Sequence, residues 1–155
     1  TQTTPFSTKE KILKSNYFMI YNSLINDSRL IDFCKKHGYK LIFKPHPNVY
    51  RFIELFETND YVIIDSTSNS YNDIFTHASL IITDYSSIAF DFAYLKKPVI
   101  YYHYAKDYHF DLEESYFDYK TMGFGEVVDN HEELIDLIQL MLRLVKYRVR
   151  HQLVV

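Results

Sequence analysis

The sequence predicts an α/β fold, a Rossmann-like parallel sheet with helices on both faces. Short apolar runs of strand length, at residues 39–43, 61–64, 79–83 and 98–102, lack the polar alternation of a sheet with one wet face. Segments with apolar residues at helical spacing alternate with them, the order expected of parallel strands joined by helical crossovers. The chain is 155 residues long with 17% aromatic residues, enough to build one substantial core.

Residues 1–14 read as a polar tail or linker remnant, densest in Thr and Ser over 1–11. The chain begins with Thr1 and not Met, which is expected of a piece of a longer protein. Residues 15–145 form the domain. Within it, Leu30, Ile31, Phe33 and Cys34 give residues 27–36 a helical face, and His37-Gly38 closes it as a helix stop should. Residues 39–43 are the first strand, 49–56 a short helix, 61–64 a strand, and 71–77 a helix with Ile74 and Phe75 inward. Then come a strand at 79–83, a helix at 87–95, a strand at 98–102, an edge strand at 126–128, and an amphipathic closing helix at 132–143. Residues 146–155 read as a basic helix end or tail.

Composition excludes several functions. A net charge of −3 offers no general attraction to nucleic acid, so no such partner is expected. The basic cluster Arg143, Lys146, Arg148, Arg150 and His151 reads as the solvated face of a terminal helix, with docking on an anionic membrane surface as the alternative. The single cysteine, Cys34, excludes an internal disulfide and a cysteine-rich zinc site and reads as a packed small apolar residue. No apolar run approaches the ~18 residues of a membrane span, and a cytoplasmic location is expected. The seven histidines lack zinc-like spacing, so no metal is expected. There is no glycine-rich phosphate loop and no nucleophile elbow. Asp111-Leu112-Glu113 reads as surface, and Asp91 as a buried, paired structural carboxylate.

Two stretches stand at predicted carboxyl ends of strands, where ligands gather in such sheets, and both are expected to face one crevice. Lys44-Pro45-His46-Pro47 holds a histidine between two prolines whose fixed φ angles restrict its backbone. His46 is either a turn residue bonded to a neighbouring carbonyl or a preset donor to a phosphate oxygen. Lys44 either adds a cation or snorkels from the sheet end. Asp84-Tyr85-Ser86-Ser87 joins a strand to a helix without glycine. One of these residues can serve as an ordinary cap, but paired hydroxyls beside free amides also suit a phosphate.

Together with Ser70-Tyr71-Asn72-Asp73-Ile74-Phe75, Ile82-Thr83 to Phe92, Lys97-Pro98-Val99-Ile100-Tyr101-Tyr102, Tyr116-Phe117-Asp118-Tyr119 and Gly123-Phe124-Gly125-Glu126, these stretches make the chain resemble the C-terminal half of the CDP-glycerol glycerophosphotransferase family over residues 15–143. These are teichoic acid and capsule polymer enzymes of the cell wall. The resemblance implies a GT-B architecture in which residues 15–145 are the donor-binding half. It implies His46 as the catalytic donor-side histidine, Lys44, Asp84, Ser86 and Ser87 as nucleotide- or phosphate-binding residues, and Tyr85 and Asp118 as candidate substrate contacts. The implied partners are CDP-glycerol or a related CDP-polyol and, through an N-terminal acceptor domain with its own histidine, a polymer acceptor. No metal or other cofactor is implied; the expected location is cytoplasmic, with peripheral contact at the inner face of the membrane as an open alternative. The acceptor domain has no counterpart in these residues, so the chain alone is expected to bind donor weakly and not to turn over. Two alternatives stand beside this reading: the donor domain of another GT-B transferase using CDP-ribitol or a nucleotide sugar, and a non-catalytic nucleotide-binding or interaction module.

Overall fold

The computed structural model describes residues 7–66, 71–104, 117–145 and 152–154. The chain forms two compact units, Thr1–Asn69 and Ser70–Val155.

Among the described residues the first unit holds three helices, α1 (Lys9–Leu13), α2 (Asn16–Ile25) and α3 (Ser28–His37), then strand β1 (Lys40–Phe43), a 3-10 helix (Pro47–Leu55) and strand β2 (Val62–Ile64). Strands β1 and β2 pair in parallel, Leu41 opposite Val62 and Phe43 opposite Ile64. Helix α3 begins where the Asp27 carboxylate accepts the amides of Arg29 and Leu30. It ends at Gly38, whose φ of 73° is a left-handed conformation that suits glycine. Leu41, Ile42 and Phe43 are all buried, as a strand covered on both faces requires. Phe43 packs between the Tyr21 ring at 5.5 Å and the Phe56 ring at 5.0 Å.

The expected N-terminal tail is corrected. Residues 9–13 are helical, Ile12 is fully buried, and buried Ser15 donates to the Ile12 carbonyl while accepting the Phe18 amide. That hydroxyl joins α1 to α2, so a polar stretch is held by one apolar side chain and one cap. The helix expected at 49–56 is a 3-10 helix with a kink at Phe52, and β2 leaves Ile63 49% exposed.

The second unit holds α4 (Tyr71–His77), β3 (Ala78–Thr83), α5 (Ile88–Tyr94), β4 (Val99–Tyr102), α6 (Tyr119–Met122), β5 (Glu126–Val128), α7 (His131–Leu144) and β6 (Gln152–Val154). All its strands are parallel: β3 pairs with β4 on one side and β6 on the other, and β4 pairs with β5 at the edge. Helices α5 and α7 both pack on β3. The chain steps from β3 to β4 in one direction and from β5 to β6 in the other. Right-handed crossovers therefore put α5 and α7 on opposite faces, and every residue of β3 is buried.

Two expectations differ from the structure of this unit. Residues 152–154 are no tail: Leu153 and Val154 are buried in β6, because the apolar end of the chain supplies a strand against β3. Residues 146–151, with most of the basic cluster, and the 111–113 carboxylates lie outside the described residues. Asp91 is exposed, since Ala89 and Phe92 turn inward and leave it on the outer side of α5. At the amino end of this sheet the Lys97 ammonium donates to the carbonyls of Phe75, Thr76 and Ala78, closing the end of α4. Its burial lowers its pKa. Gly125 is required for space: a Cβ there would lie 1.9 Å from the Val99 carbonyl oxygen.

Cys34 is 1% exposed on the inner face of α3, and burial pushes its thiol from 9.0 up to about 11. The folded chain therefore holds the thiol proton more tightly than the unfolded chain. This contribution is complete below pH 9 and is lost as pH rises towards 11. Chemical denaturation of the wild-type chain is expected to show stability falling over that window, by on the order of 2 kcal/mol from this thiol. Cys34→Ala should flatten the fall, and an equal slope in both proteins would count against it.

Candidate functional site

Each unit presents one of the two unusual stretches at the carboxyl end of a strand.

In the first unit, Lys44 follows β1 and Asp65 follows β2, its parallel neighbour. The Lys44 ammonium lies 3.0 Å from Asp65 Oδ2, with side chains 7% and 21% exposed. The Asp65 amide also donates to the Phe43 carbonyl at 2.9 Å, which sets the carboxylate beside β1. The sequence did not point to this pair, because 21 residues separate its members and only parallel pairing of the strands brings them together.

Pro45 is buried and His46 is exposed. The His46 backbone is gripped from two sides: its amide donates to the Tyr17 hydroxyl at 3.0 Å, and its carbonyl accepts the Val49 amide at 2.8 Å. Nδ1 accepts the Asn48 amide at 3.2 Å, capping the 3-10 helix in which Pro47 takes the first position. An accepting Nδ1 places the proton of the neutral ring on Nε2. His46 thus performs the local role of a turn residue through Nδ1 and keeps Nε2–H as an outward donor.

In the second unit, the turn after β3 is built as follows. Asp84 is half-buried and its Oδ1 accepts the Tyr85 amide at 2.7 Å. Ser86 and Ser87 are exposed. Ser86 Oγ receives the Ile88 amide at 3.4 Å, a long bond, and Ser87, in the cap position, makes no side-chain cap bond. Among the described residues the Ser86 and Ser87 amides have no acceptor, as expected just before a helix. Helix α5 has seven residues, so the hydroxyls and amides, more than a macrodipole, suit this turn to an anion.

Tyr85 turns inward. Its ring stacks on His103 at 4.0 Å and 15°, and meets the edge of Tyr119 at 5.6 Å. The Tyr119 hydroxyl donates to the Tyr85 carbonyl at 3.2 Å. Burial, then the Asp84 carboxylate, then Tyr119, raise the Tyr85 pKa; burial, then Tyr101 and Asp84, raise that of Tyr119. His103 follows β4, so parallel pairing with β3 sets it beside the turn. Sequence reasoning missed His103 and used Tyr119 only as part of a motif; the run Tyr101-Tyr102-His103-Tyr104 at the end of a strand was the available signal.

Asp118 caps α6. Oδ1 accepts the Lys120 amide at 3.0 Å and Oδ2 the Thr121 hydroxyl at 2.7 Å, and the Thr121 bond first and the Lys120 amide second hold the carboxyl below its usual range. Among the described residues no cluster of His, Cys, Asp or Glu is placed to hold a metal ion, and no helix is long and apolar enough to cross a membrane.

Comparison with known proteins adds a separate line of observation. The profile of the family described as CDP-Glycerol:Poly(glycerophosphate) glycerophosphotransferase matches residues 8–153. The chain is 52% identical over 134 residues to the minor teichoic acid biosynthesis protein GgaB of Bacillus subtilis, covering 86% of this chain and 14% of that one. It is 35% identical over 102 residues to a teichoic acid glycerol-phosphate transferase of Staphylococcus aureus, covering 65% of this chain and 26% of that one. It is 30% identical over 115 residues to the teichoic acid ribitol-phosphate polymerase TarK of Staphylococcus aureus, covering 74% and 22%. The chain thus spans about a quarter or less of these relatives. No solved structure matches it.

The Lys44–Asp65 pair generates a stability prediction. Asp65→Asn leaves a largely buried ammonium without its carboxylate and is expected to cost about 3 kcal/mol in denaturant unfolding. The double variant Lys44→Met/Asp65→Leu should recover most of that loss. A double variant less stable than the single one would show that the pair does not act as a unit.

Proposed function

The chain belongs to the CDP-glycerol:poly(glycerophosphate) glycerophosphotransferase family, and from that premise we propose that it is the CDP-polyol-binding part, for CDP-glycerol, of a transferase that adds polyol phosphate to a cell-wall or capsule polymer. The observation that carries this reading is the family match over residues 8–153, with both of its polar stretches at carboxyl ends of parallel strands. In the proposed reaction a polymer-end hydroxyl attacks the β-phosphorus of the donor. The bond from that phosphorus to the bridging oxygen breaks, CMP leaves with the bonding pair, and the hydroxyl proton passes to a base on the acceptor side.

The residues divide this work according to their chemistry. His46 Nε2–H donates to a diphosphate oxygen and offsets charge on the leaving CMP. The Ser86 and Ser87 hydroxyls and amides hold phosphate oxygens, and Asp84 keeps their turn in shape through the Tyr85 amide. Lys44 has three N–H donors and shares its ammonium between Asp65 and the ligand. Asp118, whose oxygens serve α6, is assigned to the cap and not to substrate. The same reading puts the protein in the cytoplasm at the inner face of the membrane. No residue of the chain matches the acceptor-side histidine of the family, so the 155 residues alone are proposed to bind donor without turnover.

A second donor is favoured by one finding: TarK, 30% identical, is named for ribitol phosphate. Calorimetry with CDP-glycerol, CDP-ribitol and a UDP-sugar separates these readings. CDP-glycerol should bind most tightly, and His46→Ala and Ser86→Ala/Ser87→Ala should each weaken it by roughly 10-fold. Tighter binding of CDP-ribitol would move the assignment to that donor. Preference for the UDP-sugar, or indifference of all three ligands to both variants, would overturn the reading. Steady CMP release by the chain alone, abolished in His46→Ala, would overturn the claim that it lacks turnover.

A further inference from the structure

The two serines are exposed and poorly tied to their own helix, yet a phosphate site needs donors held in place before the ligand arrives. The restraint on this turn comes from Tyr85. Its ring is stacked against His103 at 4.0 Å and 15°, and its carbonyl oxygen accepts the Tyr119 hydroxyl at 3.2 Å. That carbonyl belongs to the peptide whose N–H is the amide of Ser86. The peptide unit is planar, with C=O and N–H pointing in opposite directions across it. A hydroxyl that holds the Tyr85 oxygen inward therefore turns the Ser86 N–H outward, where among the described residues it meets no acceptor.

The clamp is itself anchored. The His103 amide donates to the Val128 carbonyl at 2.8 Å, which ties it to β5. The Tyr119 ring stands edge-on to His103 at 4.9 Å and to fully buried Tyr101 at 5.0 Å. Tyr119 lies at the first position of α6, where the Asp118 cap fixes the helix start.

We propose that Tyr119 and His103 are positioning residues: Tyr119 aims the Ser86 amide through the shared peptide plane, and His103 holds the Tyr85 ring against which that plane is set. Their object is a phosphate of the bound nucleotide, so the inference rests on the donor-binding reading above. Neither side chain touches the ligand.

Tyr119→Phe removes one hydroxyl and keeps the ring. Calorimetric titration of the whole chain should show CDP-glycerol binding weakened by about three- to tenfold, the worth of one hydrogen bond, while cytidine, which has no phosphate, is unaffected. His103→Ala should give the same phosphate-dependent loss, and His103→Phe, which restores a stacking ring, should return it towards wild type. The Ser86 amide resonance should shift in Tyr119→Phe, with melting within about 3 °C of wild type. Equal weakening of cytidine and CDP-glycerol would reduce the pair to a structural role and overturn the proposal. If Tyr119→Phe and His103→Ala bind CDP-glycerol normally while Ser86→Ala/Ser87→Ala does not, the positioning inference fails and the donor-binding reading survives. If the wild-type chain binds no cytidine nucleotide, both fall together.

Discussion

Ala78–Thr83 is buried along its whole length between two parallel neighbours, β4 and β6, and much of the second unit follows from that burial. A strand covered on both faces offers no side chain to solvent, so any chemistry attached to it leaves from its ends. Parallel pairing sends the carboxyl ends of β3 and β4 to the same edge, which sets Tyr85 and His103 side by side. The other edge is closed by a different device, the Lys97 ammonium on three carbonyls around the end of α4. One edge is thus sealed by a cation and the other keeps exposed serines.

The first unit treats the two basic side chains of residues 44–47 in opposite ways. The Lys44 ammonium, largely withdrawn from water, is matched by the Asp65 carboxylate, as a buried charge must be. The imidazole of His46 stays exposed, and its backbone and Nδ1 are held by Tyr17, Val49 and Asn48. Two prolines limit the remaining freedom. Rigidity here fixes the orientation of an exposed imidazole.

On the proposed reading, the residues that contact the donor, His46, Lys44, Ser86 and Ser87, address its phosphates and none addresses the polyol. That agrees with a family whose members carry names of both glycerol-phosphate and ribitol-phosphate enzymes, since diphosphate is common to such donors and the group beyond it is not. Specificity for the polyol then belongs to contacts other than His46, Ser86 and Ser87. The aromatic clamp around Tyr85 is compatible with this division, because on the same reading it shapes the turn and is not itself a donor contact.

The α/β class, most strand and helix positions in the middle of the chain, and the polar stretches at residues 44–47 and 84–87 are legible in the residues alone. Those are local properties: apolar runs, helical periodicity, caps and prolines act over a few neighbours. Ile12 and the strand at 152–154 were hidden because one or two apolar residues in a polar terminus become significant only when another element covers them. Asp91 was misjudged for the related reason that the inward direction of α5 depends on what it packs against. It took the folded chain to pair Lys44 with Asp65, to commit Asp118 to its own helix, and to turn Tyr85 away from the serines towards His103 and Tyr119. Each of these except the cap joins residues from different elements, and parallel strand pairing, which no local pattern encodes, is what brings them within reach.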